Sequence, residues 1–299
     1  MHLQSALLLC LSSATAAFDL QPRNSSTSNC PPVWSDVVKD LESDFAGCND
    51  NAHAAIRAPF HDCVINGCDG SLILGGECSR SENAGLTDVC NYLGNKATQY
   101  NVGAADMISV AAATAIAICP MGPRVRALVG RTDSSVPAPE GQIPSTSDPV
   151  DKILATFGAV GMSAQDVVAL VGSHTVARQS FDDPDKAGAA LDTSPGTFDN
   201  TFYEETKEGT APYSFSSDRR MSNDSETGDT WNRFAGSQSA WIAAFTDAWN
   251  RFTVTGNDVG SLQDCSSLLP GGGRNKRDAM SAPFCHECGR RGVHFRGRS

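Results

Sequence analysis

One stretch of the chain, Arg57 to Ser71, concentrates residues that can perform acid–base chemistry. Arg57 and His61 are four positions apart, so on a helix they share one face. A fixed positive charge then lies beside an imidazole that can take up a proton and return it. The spacing predicts one acid–base histidine beside a fixed cation on a helix.

Oxygen-bearing side chains follow this pair in a glycine-containing loop. Asp62, Asp69 and Ser71 supply carboxylate and hydroxyl oxygens, and the loop carbonyls add more. Hard oxygen ligands of this kind suit Ca²⁺. Cys63 and Cys68 bracket the loop and could close it as a small disulfide ring. A calcium-binding loop is therefore expected next to Arg57 and His61.

A second candidate site is His174, at the end of the apolar run that begins at Val167. A neutral imidazole without other soft ligands nearby is a natural axial ligand for haem iron. The chain has six histidines, three of them near its ends, which leaves His53, His61 and His174. Zinc, di-iron and metal-dependent phosphohydrolase sites need more ligands than these. Two separated histidines on two helices fit a cofactor held between them.

The segments that carry these residues are mostly helical in pattern. Apolar residues recur with a period near 3.6, which predicts an all-α or mainly α domain. Long loops at 137–149 and 182–200 need an anchor such as a disulfide or a metal ion. Ser163 is a plausible N-cap of the helix that leads to His174. The predicted helical runs are Val33–Phe45, Ala52–Phe60, Ala104–Ile118 (buried), Ser163–Ser173 and Trp241–Phe252.

Composition restricts the class of protein. The 299 residues are 40% hydrophobic and carry a formal charge of −11, enough for a sizeable core. Phosphate backbones need Lys and Arg, so the acidity argues against nucleic acid as a partner. Only 19% of residues are charged, which argues against wholesale disorder. No apolar run reaches the length of a membrane span, so no membrane association is expected.

The N-terminus has the features of a secretory signal peptide, assigned to residues 1–17. The apolar run Ala6–Leu11 is short, and the small residues of Ala14–Ala17 follow it. Its removal would take Cys10 with it and leave an even ten cysteines in a secreted, extracellular protein. Asn24 and Asn223 lie in sequons that a secretory route would make usable for glycosylation.

The C-terminus differs in composition from the body, assigned to residues 18–270. Residues 271–299 form a glycine-linked basic tail that is expected to be disordered. From Arg274 onward seven Lys/Arg and two Asp/Glu give a charge of +5, which leaves −16 for the rest. Cys285 and Cys288 flank His286 in this tail. That pattern is a weak zinc signal, and a local disulfide or simple disorder are the alternatives.

Two motifs together are specific. Arg-x-x-Phe-His-Asp-Cys with Gly-Cys-Asp-Gly-Ser, followed by Gly-Ser-His-Thr-Val-Ala-Arg about a hundred residues later, resembles the secreted haem peroxidases of fungi and plants. The likeness covers roughly residues 30–270. It implies a fold of two helical halves sandwiching haem b, with two Ca²⁺ ions, in a monomer. The implied reaction reduces hydrogen peroxide to water while small aromatic donors, phenols above all, lose single electrons to high-valent oxo-iron intermediates.

The resemblance also implies roles on the distal side of the haem. His61 is the acid–base group, Arg57 the distal cation and Phe60 the aromatic residue over the haem. Asn83 resembles the residue that accepts a hydrogen bond from the distal histidine. Glu77 matches the glutamate that closes this hydrogen-bond network.

On the proximal side His174 is the implied iron ligand, and Asp218 resembles the aspartate that accepts its other ring N–H. Two calcium sites follow from the likeness. The distal set is Asp62, Ile65, Gly67, Asp69 and Ser71. The proximal set is Thr175, Asp192, Ser194, Thr197 and Asp199.

Cysteine pairing follows the likeness in part. Cys30–Cys265 and Cys48–Cys119 look like bridges of the fungal enzymes, whereas Cys63–Cys68 follows the plant pattern. Elimination then pairs the remaining four as Cys78–Cys90 and Cys285–Cys288.

The chain departs from the lignin-degrading members of this family at their specialised donor sites. The Mn²⁺ site needs three acids, and the matching positions hold Asp50, Ala54 and Ser180. The surface tryptophan position holds Ala169. Both routes are therefore expected to be absent, which leaves direct oxidation at the haem edge, with the four tryptophans in the core. The alternatives are a secreted haem-binding or cell-wall protein with little turnover, and a Ca²⁺-stabilised hydrolase, for which no nucleophile is evident.

Overall fold

The computed structural model describes residues 30–65 and 67–271. The signal peptide, the basic tail and the Cys285–Cys288 pair lie outside these residues. The described chain is mainly helical, as the sequence predicts. Its helices are α1 (Val33–Asp44), α2 (Asp50–Cys63), α3 (Ser71–Leu74), α4 (Thr87–Tyr100), α5 (Ala104–Ile118), α6 (Val150–Ala159), α7 (Ala164–Val171), α8 (Thr201–Glu208), α9 (Ser216–Met221), α10 (Gly228–Ala235) and α11 (Gln238–Phe252).

The first half of the fold is built around α5. This helix is predominantly apolar and almost wholly buried, as predicted. It packs against α1, α2 and α4. Helix α2, which carries Arg57 and His61, makes its most extensive packing with α5. Arg57 and His61 therefore lie on a helix that is packed closely against the buried helix α5.

The second half is built around α7, α10 and α11. Ser163 caps α7 as predicted, and Asp166 completes a capping box by accepting from the Ser163 backbone N–H at 2.9 Å. All four tryptophans are buried, as expected. Trp231 and Trp241 lie at the centre of an aromatic cluster with Phe198, Phe202, Tyr203 and Phe245.

Strands contribute little. Leu128–Val129 (β1) pairs antiparallel with Gln263–Asp264 (β2). Within residues 30–65 and 67–271, no single helix is long and apolar enough to cross a membrane. Two bent helix pairs, Thr87–Tyr100 with Ala104–Ile118 and Val150–Ala159 with Ala164–Val176, reach the required length and hydropathy only in combination.

Four disulfides tie loops and termini to the helices. Cys30–Cys265 joins the two ends of the described chain, and Cys48–Cys119 joins the start of α2 to the end of α5. Cys63–Cys68 closes the loop after α2, and Cys78–Cys90 joins the following loop to α4. These four pairs coincide with the pairing expected for these cysteines.

A buried ion pair holds β1 against α5. The Arg131 Nη1 atom lies 2.9 Å from Asp106 Oδ1, and the Arg131 side chain is fully buried. Arg131 also donates to the carbonyls of Leu128 and Thr253, while Asp106 accepts from the Gly130 backbone N–H at 2.6 Å. Burial raises the pKa of Asp106. Removing one partner of such a pair leaves an uncompensated buried charge.

The R131M variant should therefore lose about 3–5 kcal/mol of unfolding free energy, because Asp106 would remain buried without its counter-charge. Chemical denaturation of the haem-loaded protein measures this loss. The matched control is R126M, because Arg126 makes an exposed ion pair with Asp264 at 3.5 Å. It should change stability by about 0–1 kcal/mol. Equal losses in the two variants would contradict the role assigned to burial.

Candidate active site

The distal side is centred on His61, on the buried face of α2. Its Nδ1 atom lies 2.7 Å from the side-chain oxygen of Asn83. The ring is buried, and its Nε2 atom has no hydrogen-bond partner among the described residues. A buried ring nitrogen without a protein partner is available to a bound ligand.

The hydrogen bonds of Asn83 determine which nitrogen of His61 carries the proton. The Asn83 amide NH₂ donates to the backbone carbonyl of Glu77 at 2.9 Å, so its oxygen faces His61. An amide oxygen only accepts, so Nδ1 of His61 must carry the hydrogen. The unpartnered Nε2 atom then holds a free lone pair.

Glu77 enters this network through its backbone. Its carboxylate is turned away and accepts from the backbone N–H of Ala138 at 2.8 Å, with Arg80 at 3.5 Å. The expected closure of the network by Glu77 thus uses a carbonyl oxygen. The carboxylate instead connects the distal loop to the 137–149 loop.

Two effects, burial and a neighbouring positive charge, keep His61 neutral. Burial and then the positive charge of Arg57 hold the pKa of His61 well below its ordinary value. The Arg57 guanidinium group retains accessible surface, but the protein around it lowers its pKa to about 10 by desolvation. Arg57 is therefore still charged at neutral pH, and its Nη1 atom donates to the Ala84 carbonyl at 3.0 Å.

Phe60 forms the aromatic wall beside His61. The two ring centroids are 4.8 Å apart in an edge-to-face arrangement. Phe60 also stacks on Phe157 of α6 at 5.7 Å, and Phe157 contacts Phe252 of α11. These rings connect the distal site to the second half of the fold.

The proximal side is centred on His174, in a short 3₁₀ turn, Gly172–Val176, that follows α7. Its Nδ1 atom lies 3.0 Å from Asp218 Oδ2, and Asp218 is fully buried. The edges of Phe202 and Phe215 hold the ring, with centroids at 5.6 and 5.5 Å. The His174 side chain keeps 31% of its surface exposed, and the only hydrogen bond of its ring within the described chain is to Asp218.

Gly172 allows this turn to approach the aromatic cluster. A Cβ atom at position 172 would lie 2.3 Å from the Tyr203 hydroxyl oxygen and 2.4 Å from Trp241 Nε1. Those two groups donate to the carbonyls of Val168 and Ala169 and fix the last turn of α7. A larger residue would displace the turn that presents His174.

The predicted distal calcium residues lie at the end of α2, in the loop that follows it and at the first residue of α3. Asp62 is buried, and its carboxylate accepts from the backbone N–H groups of Gly70 and Leu72 at 3.1 and 3.2 Å. Asp69 accepts from the N–H of Ser71 at 3.0 Å. Burial raises the pKa of Asp62 to about 7, and the charges of Asp69 and Glu77 add to the rise. Ile65 and Gly67 lie in the same loop.

The predicted proximal calcium residues are in mutual contact. The Thr175 hydroxyl donates to Asp192 at 2.5 Å and lies 3.3 Å from the Thr197 carbonyl oxygen. The Ser194 hydroxyl donates to Asp199 at 3.0 Å. Burial raises the pKa of Asp192 to about 6, with contributions from the charges of Asp199 and Glu205.

Glu205 was not anticipated from the sequence. It lies on α8 and accepts from the backbone N–H of Thr193 at 2.9 Å, so it holds the same loop. No sequence signal separates it from other exposed helix glutamates. Neither calcium set contains three or more His, Cys, Asp or Glu side chains grouped as in a metal site, and no such group occurs elsewhere in the described residues. Both sets therefore depend on hydroxyl and carbonyl oxygens.

These two sides fit a haem. Each histidine has its Nδ1 atom committed to an acceptor, so each Nε2 atom is free for a ligand. The carboxylate behind His174 is the partner typical of a metal-ligating histidine. The distal side offers a neutral base and a cation, which suits a bound peroxide rather than a second iron ligand.

Two positions of the specialised donor sites, Asp50 of the Mn²⁺ site and Ala169 of the tryptophan site, also differ from the family pattern in structure. Asp50 is exposed and lies 3.8 Å from Nε of Arg178, and thus beside a positive charge. Ala169 is fully buried, and its carbonyl accepts from Trp241 Nε1 at 2.9 Å. Position 169 lies inside the fold of this chain, because α7 packs that face against α11.

Comparisons with known proteins identify a family. The family model described as peroxidase matches residues 36–237. Manganese peroxidase 3 of Phlebia radiata is 30% identical over 268 residues, which cover 78% of this chain and 74% of the relative. The peroxidase of Arthromyces ramosus is 30% identical, with 83% and 79% covered. The low-redox potential peroxidase of Taiwanofungus camphoratus is 31% identical, with 79% and 77% covered.

The family match and the paired histidines lead to the same assignment. The chain belongs to the peroxidase family and is a haem peroxidase of the fungal type.

Proposed function

We propose that this chain is a secreted peroxidase that reduces hydrogen peroxide with electrons from small phenolic donors and does not depend on Mn²⁺. One observation carries the peroxide chemistry: a buried, neutral His61 whose free Nε2 atom lies on the same helix face as the Arg57 guanidinium group. Mere haem binding would need neither group.

The distal residues move one proton. Nε2 of His61 takes the proton from one peroxide oxygen and returns it to the other, which leaves as water. Arg57 stabilises the negative charge that develops on the departing oxygen. Asn83 keeps the hydrogen on Nδ1, so that Nε2 is the basic atom at the start of each cycle.

The proximal residues determine how strongly His174 would bind iron. Asp218 accepts the Nδ1 hydrogen of His174 and so makes its Nε2 atom a stronger donor to iron. When bound, the haem supplies the two electrons that peroxide takes up, and the donors restore them one at a time. The buried Asp218 carboxylate would thus favour the release of electrons from the bound haem, and it would not contact the substrate.

Three features support a small organic donor. The positions that match the Mn²⁺ ligands retain one acid, Asp50, and Arg178 lies beside it. The name of one relative records a low redox potential, although another is named as a manganese peroxidase. Position 169 is a buried alanine and offers no surface oxidation site.

We further propose haem b and two Ca²⁺ ions as cofactors. The distal ion would be held by Asp62, Asp69 and Ser71 with loop carbonyls, and the proximal ion by the Thr175–Asp199 set. Burial raises the pKa of Asp62 and of Asp192, which indicates carboxylates that lack a compensating cation. A hard divalent ion would supply that charge.

We also propose that residues 1–17 are removed on secretion and that residues 18–270 form the catalytic domain. The protein is proposed to be a monomer. The disulfides support an oxidising compartment, since four occur in the described chain. Asn223 is exposed, as glycosylation would require.

The H61A variant should react with hydrogen peroxide at least ~10²-fold more slowly, because the proton relay is lost. Stopped-flow absorbance at the haem band measures this step. His53→Ala is the matched control: His53 lies on the same helix but contacts Cys48 Sγ at 3.5 Å instead of Asn83. An H61A enzyme that binds haem and reacts at the parent rate would overturn the assignment.

The purified enzyme should oxidise a simple phenol with peroxide but form no Mn³⁺–malonate complex from Mn²⁺. The reason is that one carboxylate beside an arginine cannot hold a divalent ion as three carboxylates do. Both products are followed by absorbance in the same preparation. Mn³⁺ formation at a rate that matches phenol oxidation would contradict the proposed donor class.

Prolonged treatment with a calcium chelator should lower both the peroxidase activity and the thermal midpoint. An ion held at 100 times its Kd contributes about 2.7 kcal/mol of stability per site, which chelation removes. Added Ca²⁺ should restore both properties, whereas Mg²⁺ should not, because it demands a tighter octahedral shell. D192N should weaken the response to Ca²⁺. Unchanged activity and midpoint after chelation would refute the calcium sites.

A further inference from the structure

A row of aromatic rings leads from His174 towards the surface. The Phe215 ring contacts His174 with a centroid distance of 5.5 Å, and the Tyr213 ring contacts Phe215 at 5.8 Å. Phe215 and Tyr213 are each partly exposed. Contacting rings provide closer electronic coupling than an equal path through water.

The outer end of this row has a built-in proton acceptor. The Tyr213 hydroxyl donates to Asp182 Oδ2, and the Thr146 hydroxyl donates to the other oxygen of the same carboxylate. Losing an electron makes a phenol strongly acidic, so a tyrosine is oxidised readily only if its proton has somewhere to go. Asp182 is positioned to take it.

We infer that Tyr213 is a surface oxidation site, which passes electrons through Phe215 and His174 from donors that do not reach the haem edge. This inference rests on the proposed peroxidase function and adds a second donor site to it. The donors would be phenolic groups on large molecules. Phe181, next to Asp182 in the chain, is 61% exposed and offers an aromatic surface to such donors.

The oxidation of Tyr213 moves one electron and one proton. Tyr213 gives one electron to the peroxide-oxidised enzyme, and its O–H bond breaks as the proton passes to Asp182. A neutral tyrosyl radical and a protonated Asp182 result. A donor phenol then returns one electron to the Tyr213 oxygen, Asp182 returns the proton, and the donor releases its own proton to water. Two such cycles consume one peroxide.

The surrounding charges are nearly balanced. The Lys186 ammonium lies 5.6 Å from the centre of the Tyr213 ring, where it opposes electron loss. Lys186 is paired with Asp183 at 3.6 Å, which offsets that effect. The hydrogen bond to Asp182 raises the pKa of Tyr213 to about 12, so the phenol keeps its proton until it is oxidised.

The other three tyrosines each lack part of this arrangement. Tyr203 reaches His174 through Phe202, with centroid distances of 5.4 and 5.6 Å, but it is fully buried and donates to the Val168 carbonyl. Tyr92 donates to Asp44 at 2.7 Å and lies near the Lys96 ammonium, yet its aromatic contact is with Phe45. Tyr100 donates to Asp40 at 2.8 Å but contacts no other aromatic ring among the described residues. Tyr213 combines a path, an acceptor and access.

Freeze-quench electron paramagnetic resonance of the haem-loaded full chain tests the assignment. Peroxide added without a donor should give a tyrosyl radical signal, identified by its narrowing in protein made with ring-deuterated tyrosine. Y213F should lose that signal, while Y92F should keep it, because Tyr92 has the same local acceptor and cation but no ring contact to His174. D182N should weaken it, since an amide accepts a hydrogen bond but not the proton.

A steady-state measurement provides the second readout. Oxidation of a phenol attached to high-mass dextran should be lost in Y213F and retained in Y92F, with oxidation of the free phenol unchanged in both. A tyrosyl signal that persists in Y213F, or a signal that belongs only to buried tryptophan, would overturn the inference. Failure of the parent enzyme to react with peroxide at all would instead refute the proposed function.

Discussion

Both halves of the active site depend on one constraint: the Nδ1 atom of each histidine is held by a single acceptor. Asn83 holds His61 at 2.7 Å, and Asp218 holds His174 at 3.0 Å. Each Nε2 atom is thereby left free for a ligand. The two acceptors differ in charge, and this difference separates the roles. A neutral amide would keep His61 a weak base that can exchange a proton, whereas a buried carboxylate would make His174 a strong donor to iron, as proposed above.

Most of the remaining structure keeps these two hydrogen bonds in place. Helix α2 is rigid because it packs on the buried helix α5, and Asn83 is fixed because its NH₂ group is bonded to Glu77. The loops that carry these partners have little secondary structure of their own. Disulfides, the Glu77 carboxylate and the acidic loop clusters anchor them instead. The loops are therefore held by cross-links and side-chain hydrogen bonds rather than by secondary structure of their own.

The sequence predicts the fold class and the two histidine motifs better than it predicts the individual helices. The two histidine motifs and α5 are recognisable because their residue types allow few other readings, and α5 spans the predicted residues, Ala104–Ile118. Six helices, α3, α4, α6, α8, α9 and α10, were not predicted. Of these, α4, α8 and α10 are polar on average and gain their stability from tertiary packing. The burial of Ala169, the backbone role of Glu77 and the position of Glu205 also depend on contacts between distant segments. No local pattern encodes such contacts.

The central claim is that His174 and His61 hold the two faces of one haem. Titration of the haem-free protein with haem, followed by one equivalent of hydrogen peroxide, tests it most directly. The account predicts a saturating Soret band that shifts when peroxide is added. In the H174G variant the parent spectrum should be lost, and free imidazole should restore it. A protein that develops no Soret band, or one whose band is indifferent to both peroxide and the H174G substitution, would contradict the account.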